Sequence, residues 1–257
     1  MKTGLSIPGK SIITGLMRVD MTLRNVLYIS YAVPEGSLRA LVPDFMRLAT
    51  LEKDVAFLSI VVLRSTKVRI SSFPFAHFNY NQLNLRTYII DPDTGKHGVY
   101  FLKSGVTSRF ISLATRTVGI PWKHIDLELQ VTPGDNSLRY SYNAAGNWQE
   151  YFHITAVEAP QPLNKLKLFA DVESAVEYIV RPLIGFFGES GHIRRFTIWH
   201  QDIMPQIWQV QHINFPLLNE LGIIEEVDNP HSVFFLPKAD FYIYMPPTFV
   251  KRKGGES

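Results

Sequence analysis

The stretch from Phe78 to Ile89 constrains this chain more than any other. Phe78, Tyr80, Gln82, Asn84, Arg86 and Tyr88 alternate there with Leu83, Leu85, Thr87 and Ile89. That period of two belongs to a β-strand with two unlike faces. A face presenting Gln, Asn, Arg and Tyr together meets solvent or lines a wet cavity, because buried polar groups without partners are costly. Asp91-Pro-Asp-Thr-Gly95 supplies the turn that follows, with Pro presetting φ and Gly accepting a positive one. A second strand spans Gly98 to Lys103. Thr107 or Ser108 is placed to cap a helix reaching about Val118, Gly119 to close it, and Pro121 to prevent its continuation. A third strand, Trp122 to Val131, alternates through Ile125, Leu127, Leu129 and Val131.

On either side of this centre the pattern stays rich in strands. Residues 1–22 read as an irregular lead-in, and Asn25 to Val33 as a strand of β-branched and aromatic residues. Pro34 opens a short helix, Gly36 to Leu41. Val55 to Leu63 is apolar without alternation, which predicts a strand to Ser65 buried on both faces. Ile70 to His77 reads as a loop around Pro74. Further on, Gly134-Asp-Asn136 and Ala145-Gly146 read as turns, the second leading into a strand from Trp148 to Val157, and Ala159 to Pro162 as a break. Asp171 caps a helix through Val180, with Val172, Ala175, Val176 and Ile179 on one stripe. The segment Gly185 to Gly191 reads as a loop. Ile193 to His200, Ile207 to Asn214, Val233 to Leu236 and Phe241 to Tyr244 read as strands, and Leu217 to Leu221 as a helical turn. These signals predict a mainly β fold, a barrel or sandwich with peripheral helices, in one domain over 1–257 with a disordered tail at 251–257.

Composition narrows the function. With 46% hydrophobic and 19% charged residues, the 257-residue chain supports a sizeable core. It has no cysteine, hence no disulfide, thiolate nucleophile or cysteine metal site. The net charge of +3 carries no basic patch beyond Lys251-Arg-Lys253, so no nucleic-acid partner is expected. The apolar stretch Val55 to Leu63 falls short of the roughly 20 residues that span a membrane. The run Ile12 to Met17, broken by Thr14, is too weak for a signal peptide. A cytoplasmic protein with no membrane partner is expected. No glycine-rich phosphate or dinucleotide motif is present, and no cofactor is expected. Ser190 lacks the following glycine of a nucleophile elbow. Eight histidines lie scattered without a metal-binding motif; facing strands could bring His200 near His212, but no metal site is expected.

Gln82-Leu-Asn-Leu-Arg-Thr-Tyr88, Gly98-Val-Tyr-Phe101, the helix after them and Gly119-Ile-Pro121 occur in an order that resembles the acetoacetate-decarboxylase-like superfamily, and closely its YqjF-like branch of uncharacterised proteins. More weakly, the likeness runs from Asn25-Val-Leu-Tyr-Ile-Ser30 to the closing strands. It implies a cone-shaped β-barrel enclosing a ligand cavity, with the polar strand face turned inward. In the superfamily's decarboxylases two lysines follow a Gly-aromatic-Pro sequence; the first forms a Schiff base with the β-keto acid and the second lowers its pKa. Here those positions hold Trp122 and Lys123, and a glutamate expected on the polar strand is Gln82. An indole forms no imine and an amide shuttles no proton, so decarboxylation is expected to be lost.

The residues carry two functional readings. In the first, the chain binds a small carboxylate or carbonyl metabolite. Arg86 offers a bidentate fork to a carboxylate, with Gln82, Asn84 and Tyr88 on its face and Trp122 walling the pocket. Alternatively, Arg86 pairs structurally with a carboxylate such as Glu128 or Glu150, and its neighbours form a polar network. In the second reading the chain is an enzyme using a Lys123 imine, or other acid–base chemistry, on a keto acid. Against it, a strand would point residue 123 opposite to residue 122. A third reading, without a ligand, is a structural subunit of a homo-oligomer.

Overall fold

Strand pairing carries this fold further along the chain than apolar patterning does. The computed structural model describes residues 17–52, 54–133, 140–159, 166–188, 192–224 and 227–250. The sequence readings at 1–16, at Gly134 to Asn136, within Ala159 to Pro162, at 189–191 and at 251–257 lie outside the described residues. The first strand, β1 (Met17–Pro34), precedes the one-turn helix α1 (Glu35–Arg39), the short strands β2 (Arg47–Leu48) and β3 (Thr50–Leu51), and the long strands β4 (Val55–Ile70) and β5 (Phe73–Ile90). Residues 17–22 are therefore strand and not lead-in, and most of the expected loop at 70–77 is strand as well. Neither segment has a strong apolar run; what makes them strand is the neighbour, Val19 pairing with Ile70 and Ile70 with Phe73. Asn25 and Lys67 take φ of 51° and 53° beside register shifts in these pairings, and such bulges bend and twist the strands.

The middle of the chain contributes β6 (His97–Val106), α2 (Arg109–Thr117), β7 (Lys123–His124), β8 (Asp126–Pro133), β9 (Tyr140–Trp148) and β10 (Glu150–Glu158). Ser108 caps α2 by accepting a hydrogen bond from the Ile111 amide at 3.3 Å. The expected strand from Trp122 is broken: Trp122 precedes β7, and Ile125 separates β7 from β8. The expected turn at Ala145-Gly146 is also corrected. Gly146 sits within β9, and the chain reverses at Gln149, whose φ is 69°. A Cβ on Gly146 would lie 2.0 Å from the Asp126 carbonyl oxygen. The glycine therefore marks close backbone approach, not a turn.

The remainder consists of α3 (Val172–Ile179), β11 (Ile184–Phe187), β12 (Arg194–His200), β13 (Gln206–Asn214), α4 (Pro216–Glu220), β14 (Ser232–Met245) and β15 (Thr248–Phe249). Asp171 caps α3 as its sequence predicts, accepting from the Ser174 amide at 2.7 Å. The glycine-rich segment expected to be a loop begins as β11, paired in parallel with β6 at Gly185 and Phe186. A parallel partner distant in sequence leaves no local signal. The two expected closing strands are one strand, β14.

Pairing runs in the order β12-β11-β6-β5-β4-β1-β14, and β14 pairs back onto β12 through Ile198 and Ile243, which closes a ring. From β14 the sheet continues outward through β13, β10, β9 and β8. One apolar core fills the space between ring strands and these outer strands, joining Leu27, Ile60 and Leu85 to Leu129, Tyr142 and Phe152. A second core, on the opposite strand face, joins Tyr28, Val61, Tyr80, Tyr88 and Phe234 to Ala175, Val176 and Ile179 of α3. Burial on both faces explains why Val55 to Leu63 shows no alternation.

Gly146→Ala is expected to force β8 and β9 apart and to destabilise the protein by about 1–3 kcal/mol, the usual range for overpacking. Urea unfolding of the variant against the wild type measures it.

Candidate functional site

The polar face of β5 is buried: Gln82 is 7% exposed, Asn84 5% and Tyr88 0%. Its groups are satisfied mostly by one another and by a helix end. The Gln82 amide donates to Asn84 Oδ1 at 2.9 Å. Arg86 Nη2 donates to the Ile179 carbonyl at 2.6 Å, and the Tyr88 hydroxyl donates to the same oxygen at 3.1 Å. Ile179 is the last residue of α3, and helix C-terminal carbonyls lack partners within the helix and carry its negative dipole end. Because Tyr88 spends its proton there, Ser59 donates to Tyr88 at 2.8 Å and Ser30 to Ser59 at 2.7 Å. The Arg86 guanidinium lies 5.3 Å from the Tyr28 ring centre and 5.6 Å from that of Tyr88, within cation–π reach. Its hydrogen-bond partner is thus a helix terminus and not the carboxylate of Glu128 or Glu150.

His97 completes this cluster. It stacks on Tyr88 at 5.6 Å with an interplanar angle of 3°, and its ring centre lies 4.3 Å from that of Tyr178. Burial, and secondarily the Arg86 charge, push its pKa down to about 4. Burial pushes the Tyr28 phenol up, and Arg86 opposes that shift. Nothing local in the sequence marks His97. Its environment is assembled from β1, β5, β6 and α3.

A cavity of about 860 Å³ lies at the end of the ring marked by Met17, Ile70 and Met245, and α2 lines it through Ile111, Ala114, Thr115 and Val118. Trp122 and Lys123 lie on its wall, whereas Gln82, Asn84, Arg86 and Tyr88 do not. The polar strip instead runs away from the cavity toward α3. Gly119, with φ of 78°, closes α2, and a Cβ there would meet the Arg194 guanidinium at 2.5 Å. Arg194 lies on the cavity wall and stacks over Phe249 at 4.2 Å. Trp122 is partly buried with its ring 6.3 Å from Tyr80, and its carbonyl accepts from Ser112 Oγ at 2.9 Å. Lys123 is exposed, so the burial that the imine reading asks of it is not there.

The wall also includes β6 residues Phe101, Leu102, Lys103 and Ser104. Along one edge of β6, β11 covers Val99 and Tyr100 and β7 covers Gly105 and Val106. Among the described residues no strand pairs with 101–104 along that edge, so the sheet has a notch there. Ser104 is 6% exposed, and its hydroxyl has no hydrogen-bond partner among the described residues. Sequence reading misses Lys103, Ser104 and Arg194, because the notch exists only through which strands pair on either side. His200 and His212 have separate partners: His212 faces His153 at 5.4 Å, and His200 stacks on Phe241. Among the described residues no group of three or more His, Asp or Glu side chains is placed to hold a metal ion, and no helix is long and apolar enough to cross a membrane.

The profile of DUF2071, described as an uncharacterized conserved protein, matches residues 20–240. The chain belongs to the DUF2071 family. The uncharacterized protein YqjF of Bacillus subtilis (strain 168) is 30% identical to this DUF2071 chain over 121 residues; the match covers 46% of this chain and spans 49%, about half, of that relative's length. Among solved structures, acetoacetate decarboxylase from Legionella pneumophila aligns with a TM-score of 0.57 at 14% identity, covering 96% of this chain and 93% of that one. The enduracididine biosynthesis enzyme MppR, solved with the condensation product of pyruvate and imidazole 4-carboxaldehyde, aligns with a TM-score of 0.55 at 13% identity, covering 96% of each chain. At these identities the likeness is one of fold: this DUF2071 chain has the mainly β, acetoacetate-decarboxylase-like architecture.

Two outcomes test the Arg86 cluster. Arg86→Met removes a charged hydrogen bond from the end of α3 and is expected to cost about 1.5–3 kcal/mol; it should also raise the His97 pKa, as read by NMR titration. Between pH 6.5, the ordinary value, and about 4, the unfolded chain binds a proton at His97 that the folded protein does not. Stability therefore falls as pH drops through that window, by up to roughly 2–3 kcal/mol from this group. His97→Phe should flatten that part of the pH dependence in denaturant melts.

Proposed function

We propose that this protein binds a small carboxylate or carbonyl metabolite in the cavity beside α2, without imine-based decarboxylation. The observation that carries the reading is Trp122. It stands on the cavity wall, and the resemblance to the decarboxylases implies that it occupies the position of their Schiff-base lysine. An indole supplies a flat apolar wall and no amine. The adjacent Lys123 reaches the cavity from an exposed position, without the apolar burial that activates imine-forming lysines. A fold relative crystallised with pyruvate supports a carbonyl acid as the kind of ligand such a cavity accepts. In this reading Arg86, Gln82, Asn84 and Tyr88 form the framework behind the site, holding α3 in place.

The test is twofold. A panel of keto acids and simple carboxylates is expected to raise the melting temperature, whereas borohydride reduction with acetoacetate or pyruvate should leave the intact mass unchanged. Trp122→Lys is expected to create a trappable adduct at the new amine. A reduced adduct on Lys123 of the wild type would overturn the non-imine reading in favour of an enzyme, and a panel without any stabilising member would overturn ligand binding.

A further inference from the structure

The cavity is larger and more apolar than a small keto acid requires. Its volume of about 860 Å³ equals that of roughly thirty waters, near the upper end for sites that enclose a drug-sized molecule. Phe78, Phe101, Trp122, Phe196 and Ile243 give it aromatic and aliphatic walls. Among the described residues its ionic lining has one sign: Arg69, Lys103, Lys123 and Arg194 line it, and no Asp or Glu does. These cations are not equivalent. Arg69 pairs at 3.2 Å with Asp20, a carboxylate it shares with Arg18, and Lys123 is exposed. Among the described residues Lys103 and Arg194 have no carboxylate partner; Lys103 is partly buried, and Arg194 lies over Phe249.

The sheet notch places polar groups beside this apolar space. Lys103 pairs with Leu85 and Ser104 with Asn84, so the two side chains leave β6 on opposite faces. Both nevertheless line the cavity, as does Trp148 from β9, because the unpaired edge at 101–104 opens the space to both faces. Ser104 presents a hydroxyl there, 6% exposed and without a hydrogen-bond partner among the described residues. Such a group is stabilised when a ligand accepts from it.

Building on the proposed binding function, we propose that the ligand is an amphipathic organic anion: a monocarboxylate with an extended aliphatic or aromatic body. Its carboxylate sits at the notch, accepting from Ser104 and paired with Lys103, while Arg194 adds to the positive field. Its body runs beneath α2 between Phe101, Trp122 and Ile243. Small keto acids occupy the same head-group position and leave most of the apolar volume unfilled.

Calorimetric titration with the unbranched carboxylates from butyrate to dodecanoate, with decanol and pyruvate as comparators, tests this. Affinity is expected to rise about fourfold per added methylene until the cavity is full, with decanoate well above both comparators. Lys103→Gln should weaken decanoate about tenfold and leave decanol unchanged, and Lys103→Arg should retain decanoate binding. Ala114→Phe, which fills the space beneath α2, should abolish decanoate binding and spare butyrate in a folded protein. Pyruvate binding together with a flat chain-length series overturns the amphipathic ligand and leaves the broader binding function standing. No binding by any carboxylate, pyruvate included, overturns both. Equal affinity for decanol and decanoate, insensitive to Lys103→Gln, overturns the anionic head group.

Discussion

A guanidinium taken partly out of water needs an acceptor, and in this protein the acceptor is the last carbonyl of α3. Arg86 and Tyr88 both donate to the Ile179 oxygen, joining the positive side chain to the negative end of the helix dipole. Much else follows from that contact. It fixes α3 against the ring of strands, so that Ala175, Val176 and Ile179 complete the core shared with Tyr28 and Phe234. Through the Tyr88 hydroxyl it extends to Ser59 and Ser30 across three adjacent strands. Burial keeps His97 neutral, and the charge of Arg86 adds to that. Leaving the guanidinium without that oxygen would strand a buried charge, which costs more than the net gain of forming the bond.

The strip and the cavity divide one strand face between them. Toward α3 the face is polar, its groups bonded mostly to one another and to the end of α3; toward α2 it is apolar and lines the cavity. The division lies near Ser104, which sits across from Asn84 in the pairing of β5 and β6 yet lines the cavity. A barrel wall normally has no free edges. Here, among the described residues, β6 has one, because β11 and β7 approach the same side from different parts of the chain and leave 101–104 unpaired along it. The chemistry available at the cavity is therefore that of a sheet edge beside aromatic walls.

Much of the site's composition was legible without coordinates. The alternation in β5 identified the polar face, and the Gly119-Ile-Pro121 sequence located Trp122 and Lys123, both of which line the cavity. Which residues share a surface was not legible. Gln82, Asn84, Arg86 and Tyr88 were expected beside Trp122, but the cavity wall does not include them. A period of two specifies a face and not a position along it, and the partner that decides the role of Arg86 lies ninety-three residues away in sequence. Gly146 errs for a related reason: a glycine in a strand and a glycine in a turn look alike until the neighbouring backbone is known.

What the amino-acid sequence determined by itself is local: strand-forming periodicity in β4, β5 and β8, the Ser108 and Asp171 helix caps, the closing glycine of α2, and the absence of a lysine beside Lys123, where Trp122 stands. Each is fixed by side-chain chemistry within a few residues, where propensity, capping and turn geometry act. Tertiary structure alone decided the closing pair of β12 with β14, the parallel approach of β11 to β6, the notch at 101–104 and the division of a buried face into framework and cavity. These depend on contacts between segments far apart in the chain, and such contacts leave no periodic trace in either partner.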